Sequence, residues 1–591
     1  MNKTRLAWIL VALLALVALG LRVRGIAHGL PMALEQDCKI PRQVELLRAG
    51  TEEWRTDPEF RWYPLFVAHV VKSLPAPLAA PADAPLASQL QAAAAPHIQS
   101  RLTVALLAVL AIPLTFLLAS WFLSRRWALV AAAFVAFSLL HHSFSQQSRP
   151  HAVSCATFLA AVVAAVHLRH QGTTLRYGLA GAACAIALGT LHTGVLTLLT
   201  FVVAHFARRT YKSKWLEPRF FLALLLVALA LPVFYPFLFF PAAQESAESA
   251  ARNLGFDSNS WKLSLGGHEI FLEQFLGRGI EPTFRSLVSY EPALLVLLVV
   301  AGVLVLPRLL RKPDDAPKVD SFTRRRDTWV VLSFVVPYAL LVLAYERTYE
   351  RFLLPLLPYL ALAAAFALRE LARALARRLP AFGEPAGQLG LAAAALALPA
   401  FGSWRLSEIR AAPHTTTVAA GWLASSAQPA QDIALWPGLE LPLARDLAKL
   451  GPWPGPKVPV QARFQWPWSR YQSLHPDFVA SERWSLRWMP AKLLQMRREP
   501  VTYAAEQAGE LTVIEVFADN RTDSAGTLVR AALQAHAELL VRIGPDGPES
   551  ESDHPLGYQE ETSVPAPLFL FRVLNARRTG PVIEVYGPLR R

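Results

Sequence analysis

The chain has 591 residues, 53% hydrophobic and only 17% charged, with a formal net charge of +14 and a mean hydropathy of +0.32. Soluble domains carry about 25% charged residues, so this composition excludes an ordinary water-soluble protein over most of the chain. Lys and Arg sit in the gaps between apolar runs, as membrane topology signals do, and not in a stripe interleaved with aromatics, which excludes nucleic acid as a partner.

The first part of the chain alternates apolar runs with short basic clusters. A helix needs about twenty apolar residues to cross the hydrocarbon, with about seventeen as a lower limit. Eleven runs are predicted to cross: 5–21, 102–121, 127–144, 152–168, 174–190, 191–206, 218–240, 291–309, 328–345, 352–369 and 387–403, of which 191–206 is the shortest. The first follows Lys3 and Arg5, and its exit at Leu21-Arg22-Val23-Arg24 lacks a small-residue cleavage site, so it reads as an uncleaved anchor.

The basic residues orient these spans. Inner loops are predicted to hold Arg125, Arg126, Arg169, Arg176, Arg208, Arg209, Lys212 and Lys214, then Arg311, Lys312, Lys318, Arg324, Arg325 and Arg326, and finally Arg373, Arg377 and Arg378. The short outer turns hold only Arg149, Arg347 and Arg351. This asymmetry places the N-terminus in the cytoplasm and the C-terminal region outside, with Arg22 and Arg24 as the dissenters. Residues 1–403 thus form a membrane domain with long outer loops at 22–101 and 241–290, and 404–591 an extracytoplasmic domain.

Inside the first outer loop, 41–48 is helix-like and stops at Ala49-Gly50, and a Pro/Ala-rich stretch at 75–96 leads to the second span. Beyond 404, a helix-like run at 416–425 mixes with strand-like runs at 511–517, 568–574 and 582–586, predicting an α/β or α+β domain. The fold class is therefore a polytopic α-helical membrane protein with a C-terminal extracytoplasmic domain. Cys38, Cys155 and Cys184 have no disulfide or metal-ligand pattern, and the last two read as small core residues.

Most chemistry-bearing residues of the membrane half fall on the predicted outer face. They include Glu35 and Asp37, Trp54, Trp62 and Tyr63, the run from His141 and His142 through Arg149 to His151, and the turn holding Arg347 and Arg351. A carboxylate there can take a proton from an acceptor hydroxyl or amine. Arginines can hold a lipid phosphate through paired donors and neutralise charge as it leaves. Tyr and Trp at such positions serve equally as interfacial anchors, and Arg347 and Arg351 have Glu346 and Glu350 as neighbours. Arg149 lies in a very short outer turn against the topology rule, and charges held against a membrane tend to be functional.

The residues also carry a resemblance. Asp37-Cys38-Lys39-Ile40, the helix at 41–48, Trp62-Tyr63-Pro64-Leu65, the stretch 145–152 (SQQSRPHA), Leu191-His192-Thr193-Gly194 and the stretch 351–358 (RFLLPLLP) occur in the order and on the side seen in bacterial GT-C glycosyltransferases. That group contains the family 39 protein O-mannosyltransferases and the lipid A aminoarabinose transferases. Residues 414–423 and 580–586 are similar to the opening helix and closing strand of their outer domains. The resemblance implies a polyprenyl-phosphate-linked sugar donor and an extracytoplasmic lipid, glycan or protein acceptor. Asp37 takes the acceptor-activating role, and Arg149 and Arg351 face the carrier phosphate, with Arg347, His151, Tyr63 and Glu35 as further substrate contacts.

The family's first loop usually carries Asp-Glu where this chain has Asp37-Cys38, so no metal is assigned, no cofactor is predicted, and a divalent ion is left open. The location implied is a bacterial inner membrane. A transporter or flippase of envelope glycans is the alternative; it favours ionisable groups at the bilayer midplane and paired broken helices, and neither pattern is present.

Overall fold

The apolar runs form helices because a backbone in hydrocarbon must satisfy its own hydrogen bonds. In the computed structural model, the described residues are 3–32, 37–50, 53, 60, 63–208, 217–239, 261–265, 268–310, 320–346, 348–379, 381, 384–436, 439–445, 467–475, 483–489, 508–516, 524–547, 550–556 and 568–590. They divide into two units. The first comprises Met1–Val23, Lys39–Pro75 and Ser100–Trp404; the second comprises Arg24–Cys38, Ala76–Gln99 and Arg405–Arg591.

The helices in chain order are α1 (Lys3–Val23), α2 (Ile40–Ala49), α3 (Phe66–Lys72), α4 (Leu86–Val109), α5 (Ala111–Phe122), α6 (Arg125–Phe137), α7 (Leu139–Ser145), α8 (His151–His170), α9 (Thr174–Thr190) and α10 (Leu196–Phe206). They continue with α11 (Pro218–Phe234), α12 (Ile280–Tyr290), α13 (Pro292–Leu310), α14 (Asp320–Ala344), α15 (Leu357–Ala376) and α16 (Pro385–Ala411). Among the described residues, each of the eleven predicted runs overlaps helix. By length and apolarity, six helices among the described residues are fit to cross a membrane, and up to eight if each bent pair is one span. The bent pairs are Arg125–Phe137 with Leu139–Ser145 at 49° and Ile280–Tyr290 with Pro292–Val303 at 117°; His192–Phe206 and Pro218–Phe234 are shorter apolar helices. The chain is a polytopic helical membrane protein.

Within the first unit, α9 packs on α8 and α11, α5 on α6, and α15 on α6 and α13. Without a hydrophobic drive in lipid, helices associate through small residues that let backbones approach. Ala131, Ala132 and Ala136 of α6 and Ala361, Ala364 and Ala365 of α15 are buried accordingly. At Gly181 of α9 a Cβ would lie 2.7 Å from the Ala223 carbonyl oxygen of α11, so only glycine fits. Thr173 caps α9 by accepting from the Arg176 amide, and Pro218 opens α11.

The second unit contains a five-stranded sheet. Its strands are β3 (Asp432–Leu435), β4 (Ser485–Trp488), β5 (Leu511–Val516), β6 (Ala537–Ile543) and β7 (Val582–Leu589), after a separate hairpin of β1 (Lys262–Leu265) and β2 (His268–Phe271) in the first unit. The order is β4-β3-β5-β7-β6; β3 pairs in parallel with both β4 and β5, whereas β7 pairs antiparallel with β5 and β6. Every residue of β5 is buried, matching its near-continuous apolar run. Helices α17 (Thr415–Ser426), α18 (Pro467–Leu474), α19 (Ser524–His536) and α20 (Phe569–Asn575) complete the unit. The run at 568–574, read as a strand from its apolar content, is the helix α20. Phe569, Leu570 and Val573 are buried while Phe571 is 53% exposed, a spacing that follows a helical turn and not the two-residue alternation of a strand.

Candidate active site

The site is built first from its floor. In α2, Ile40, Gln43, Val44 and Leu46 face inward. The Gln43 amide donates to the Phe60 and Tyr63 carbonyls at 2.9 and 2.8 Å, and the Leu65 amide donates to the Phe234 carbonyl at 3.1 Å. Leu46, Phe60, Leu65, Tyr235 and Phe237 close into one apolar cluster. These contacts fix the segment carrying Tyr63, a buried residue, whose Leu65 meets the end of α11.

The turn between α7 and α8 comes next. Ser138 caps α7 by accepting from the His141 amide, and its hydroxyl donates to Glu291 Oε1 at 2.5 Å. Arg22 of α1 is fully buried against this turn. Its guanidinium donates to the Ala18 carbonyl at 2.8 Å and the Ala136 carbonyl at 3.1 Å, to the Ser145 hydroxyl at 3.4 Å, and to His141 Nδ1 at 3.0 Å. The Gln146 amide returns a bond to the Arg22 carbonyl at 2.6 Å. Since the guanidinium only donates, His141 accepts at Nδ1 and carries its proton on Nε2. Arg22 therefore is not a loop charge opposing the topology rule; it is an internal strut holding the segment that ends in Arg149.

Arg149 is buried at the start of α8, and His151 is that helix's first residue, also buried. The His151 ring stacks on Phe352 at 5.8 Å and meets Tyr63 edge-on at 5.6 Å. Arg351, buried in the 3-10 segment Glu350–Leu356, lies with its guanidinium carbon 4.3 Å from the Tyr349 ring centroid and 5.3 Å from that of Phe352, a cation–π arrangement. Phe352, the residue after Arg351, stacks on His151, two residues after Arg149, so the segments carrying the two arginines meet at this ring. His192 Nδ1 is 3.1 Å from the Tyr235 hydroxyl, which donates to the Leu188 carbonyl at 3.2 Å. The turn must be tight: a Cβ on Gly194 would stand 2.3 Å from the Ala187 carbonyl oxygen.

Of the residues predicted from sequence, Arg149, Arg351, His151 and Tyr63 are thus gathered within the first unit. Glu35, Arg347, Trp54 and Trp62 lie outside the described residues. Asp37 belongs to the second unit; it is half-buried, with a positive φ of 56° that Asp tolerates better than most residues. Among the described residues, no group of three or more His, Cys, Asp or Glu side chains is arranged to hold a metal ion. Arg22 was missed as a site-building residue because loop statistics treat a basic residue near a span end as a topology signal. Its place at the end of an apolar helix, on the side where basic residues are rare, was the available clue.

The arrangement has clear chemical capacity. Two buried guanidinium groups supply a positive field and planar donors suited to a phosphate; the rings of Tyr349 and Phe352 lie against Arg351, and those of Tyr63 and Phe352 against His151.

Neither a protein-family model nor a curated protein matches the chain. Solved structures do resemble it. The archaeal oligosaccharyltransferase AglB from Archaeoglobus fulgidus, in complex with an inhibitory peptide and a dolichol-phosphate, is 13% identical over 94% of this chain and 75% of that one, with a TM-score of 0.48. ArnT from Cupriavidus metallidurans bound to undecaprenyl phosphate is 15% identical over 99% and 98%, with a TM-score of 0.39. The mycobacterial arabinofuranosyltransferase AftD is 16% identical over 98% of this chain but 40% of that one, with a TM-score of 0.42. These structural neighbours are GT-C-fold glycosyltransferases. Each TM-score is below 0.5, so the weight of any functional conclusion falls on this chain's own residues.

Proposed function

We propose that the protein is a membrane glycosyltransferase that moves a sugar from a polyprenyl-phosphate carrier to an acceptor outside the cytoplasm. The observation carrying this reading is the pair Arg149 and Arg351, both buried and on segments that meet at the His151 ring, with Arg351 lying against the Tyr349 and Phe352 rings. In the reaction, an acceptor oxygen or nitrogen attacks the anomeric carbon and a new bond forms there. The bond from that carbon to the carrier's phosphate oxygen breaks, and the electron pair leaves with the phosphate. Arg149 and Arg351 neutralise the charge that develops on the leaving group, where donors held in place in a dry site act most strongly. Asp37, assigned on the sequence resemblance, takes the acceptor's proton. Tyr63 and Phe352 offer faces for the sugar or the first isoprene unit.

The test is transfer of radiolabelled sugar from defined polyprenyl-phosphate donors in membranes, comparing wild type with Asp37→Asn at equal expression. Loss of a general base reduces turnover by about 10²–10⁴-fold, and that loss is expected. Equal turnover by the variant removes Asp37 from the reaction. Consumption of no donor by the wild type favours the transporter reading instead.

A further inference from the structure

A polar cavity of about 450 Å³ lies away from this site and is lined by Ser120, Trp121, Ser124, Trp127, Arg369 and Arg373 among others. Two helices running in opposite directions place it at the other end of the bundle. Helix α6 starts at the cavity and, continued by α7, leads to the turn carrying Arg149. Its 13 residues rise about 1.5 Å each, or about 20 Å. Helix α15 is entered through the segment carrying Arg351 and reaches Arg369 and Arg373 toward its C-terminus.

The lining is rich in donors. The Arg369 guanidinium carbon sits 4.7 Å over the Phe366 ring, and its Nε donates to Glu370 Oε1 at 2.9 Å. Arg373 donates to the same oxygen at 2.8 Å. One carboxylate against two guanidinium groups leaves the cluster positive while holding Arg369 in one orientation. Ser124, which lines the cavity, is the N-cap residue of α6 and makes no side-chain cap bond, so the cavity adjoins the positive end of that helix dipole. Trp121 is fixed edge-on by the His167 ring at 5.0 Å, and indoles of this kind settle at the membrane–water boundary. Gln388 also lines the cavity, and the next residue, Leu389, is 70% exposed, as an acyl-chain contact requires.

We propose that this cavity binds the phosphodiester headgroup of an anionic phospholipid from the leaflet opposite the glycosyl-transfer site. Fixed guanidinium donors meet the phosphate oxygens, the two indoles bracket the glycerol region, and apolar residues beside the mouth receive the acyl chains. A basic pocket between helices at a membrane surface suits such headgroups, and the cavity volume falls in the range of small-molecule sites.

The test uses the purified full chain in detergent micelles, with bound lipid read by native mass spectrometry. Three probes are offered separately: dioleoylphosphatidylglycerol, dioleoylphosphatidylcholine and inorganic phosphate. The wild type is expected to retain phosphatidylglycerol over phosphatidylcholine, and the Arg369→Gln/Arg373→Gln protein to bind phosphatidylglycerol about tenfold or more weakly. Arg373→Lys, which keeps the charge, should retain most of the preference, and unchanged melting curves separate lost binding from lost folding. Equal retention of the two lipids by the wild type, or equal phosphatidylglycerol binding by the double variant, overturns the proposal. Inorganic phosphate competing as well as the lipid also overturns it, leaving a site for a free anion.

Discussion

Arg445, Arg530 and Arg542 of the second unit are held by other means than Arg22 and Arg351 of the first. In the second unit, Arg445 pairs with Glu440, both fully buried, and that carboxylate also accepts from the Ser469 amide at 3.0 Å and hydroxyl at 2.6 Å. Arg530 and Arg542 share Glu584 and Asp553, with Arg530 reaching Glu584 at 2.7 Å and Asp553 at 2.7 Å. Burial works to raise the Asp553 pKa, but hydrogen bonds from Arg530 and Arg542 outweigh it and hold the carboxyl below its usual value. In the first unit, Arg22 is held by carbonyl oxygens, a hydroxyl and an imidazole, and Arg351 lies against aromatic faces. Yet Arg169, at the far end of α8 from His151, bonds Asp327 at 2.5 Å. A carboxylate matched one-for-one with an arginine makes a structural tie, whereas carbonyls, a hydroxyl and rings also hold a guanidinium in place, as does the single Glu370 carboxylate that Arg369 and Arg373 share.

That contrast can be broken by substitution. The largest stability effect is expected at Glu440→Gln, which leaves the Arg445 charge buried without its counter-ion. Such a change costs about 3–5 kcal/mol, read as a lowered melting temperature of the full chain. A melting curve that does not move would mean the pair is not a structural tie. A smaller loss is expected at Arg22→Met, which removes the donors that Arg22 supplies to the Ala136 carbonyl and to His141 Nδ1, at about 1–3 kcal/mol. Here donor transfer should fall more than stability, because the turn ending in Arg149 loses its strut. Transfer that falls only in proportion to folded protein would reduce Arg22 to a packing role.

Much of this was legible in the sequence because lipid imposes a simple rule. The run predicted at 174–190 matches α9 residue for residue, since every backbone group there must bond within the helix. The number of crossings was less legible: length and apolarity select six to eight helices, because a break such as Ser138 divides one hydrophobic run into two bent pieces. In the water-exposed domain the signal weakens. Residues 568–574 are apolar but for Arg572, and only their neighbours decide that Phe571 faces outward. Strands β3 and β4, four residues each, owe their existence to pairing with strands distant in sequence. At the site, Arg149 stood out as a charge in a very short outer turn, and His151 and Arg351 by their place in the family-like stretches, but the aromatic support of Arg351 and the link from Arg22 to His141 arise only from the fold.

The most direct measurement of the central claim is steady-state sugar transfer from a polyprenyl-phosphate donor by Arg149→Ala and Arg351→Ala proteins, normalised to folded protein. Removal of one transition-state donor costs about 10²–10³-fold in turnover, and a loss of that size is expected for each, with donor binding weakened as well. Turnover equal to wild type in both variants would contradict the assignment of this arginine pair to the carrier phosphate.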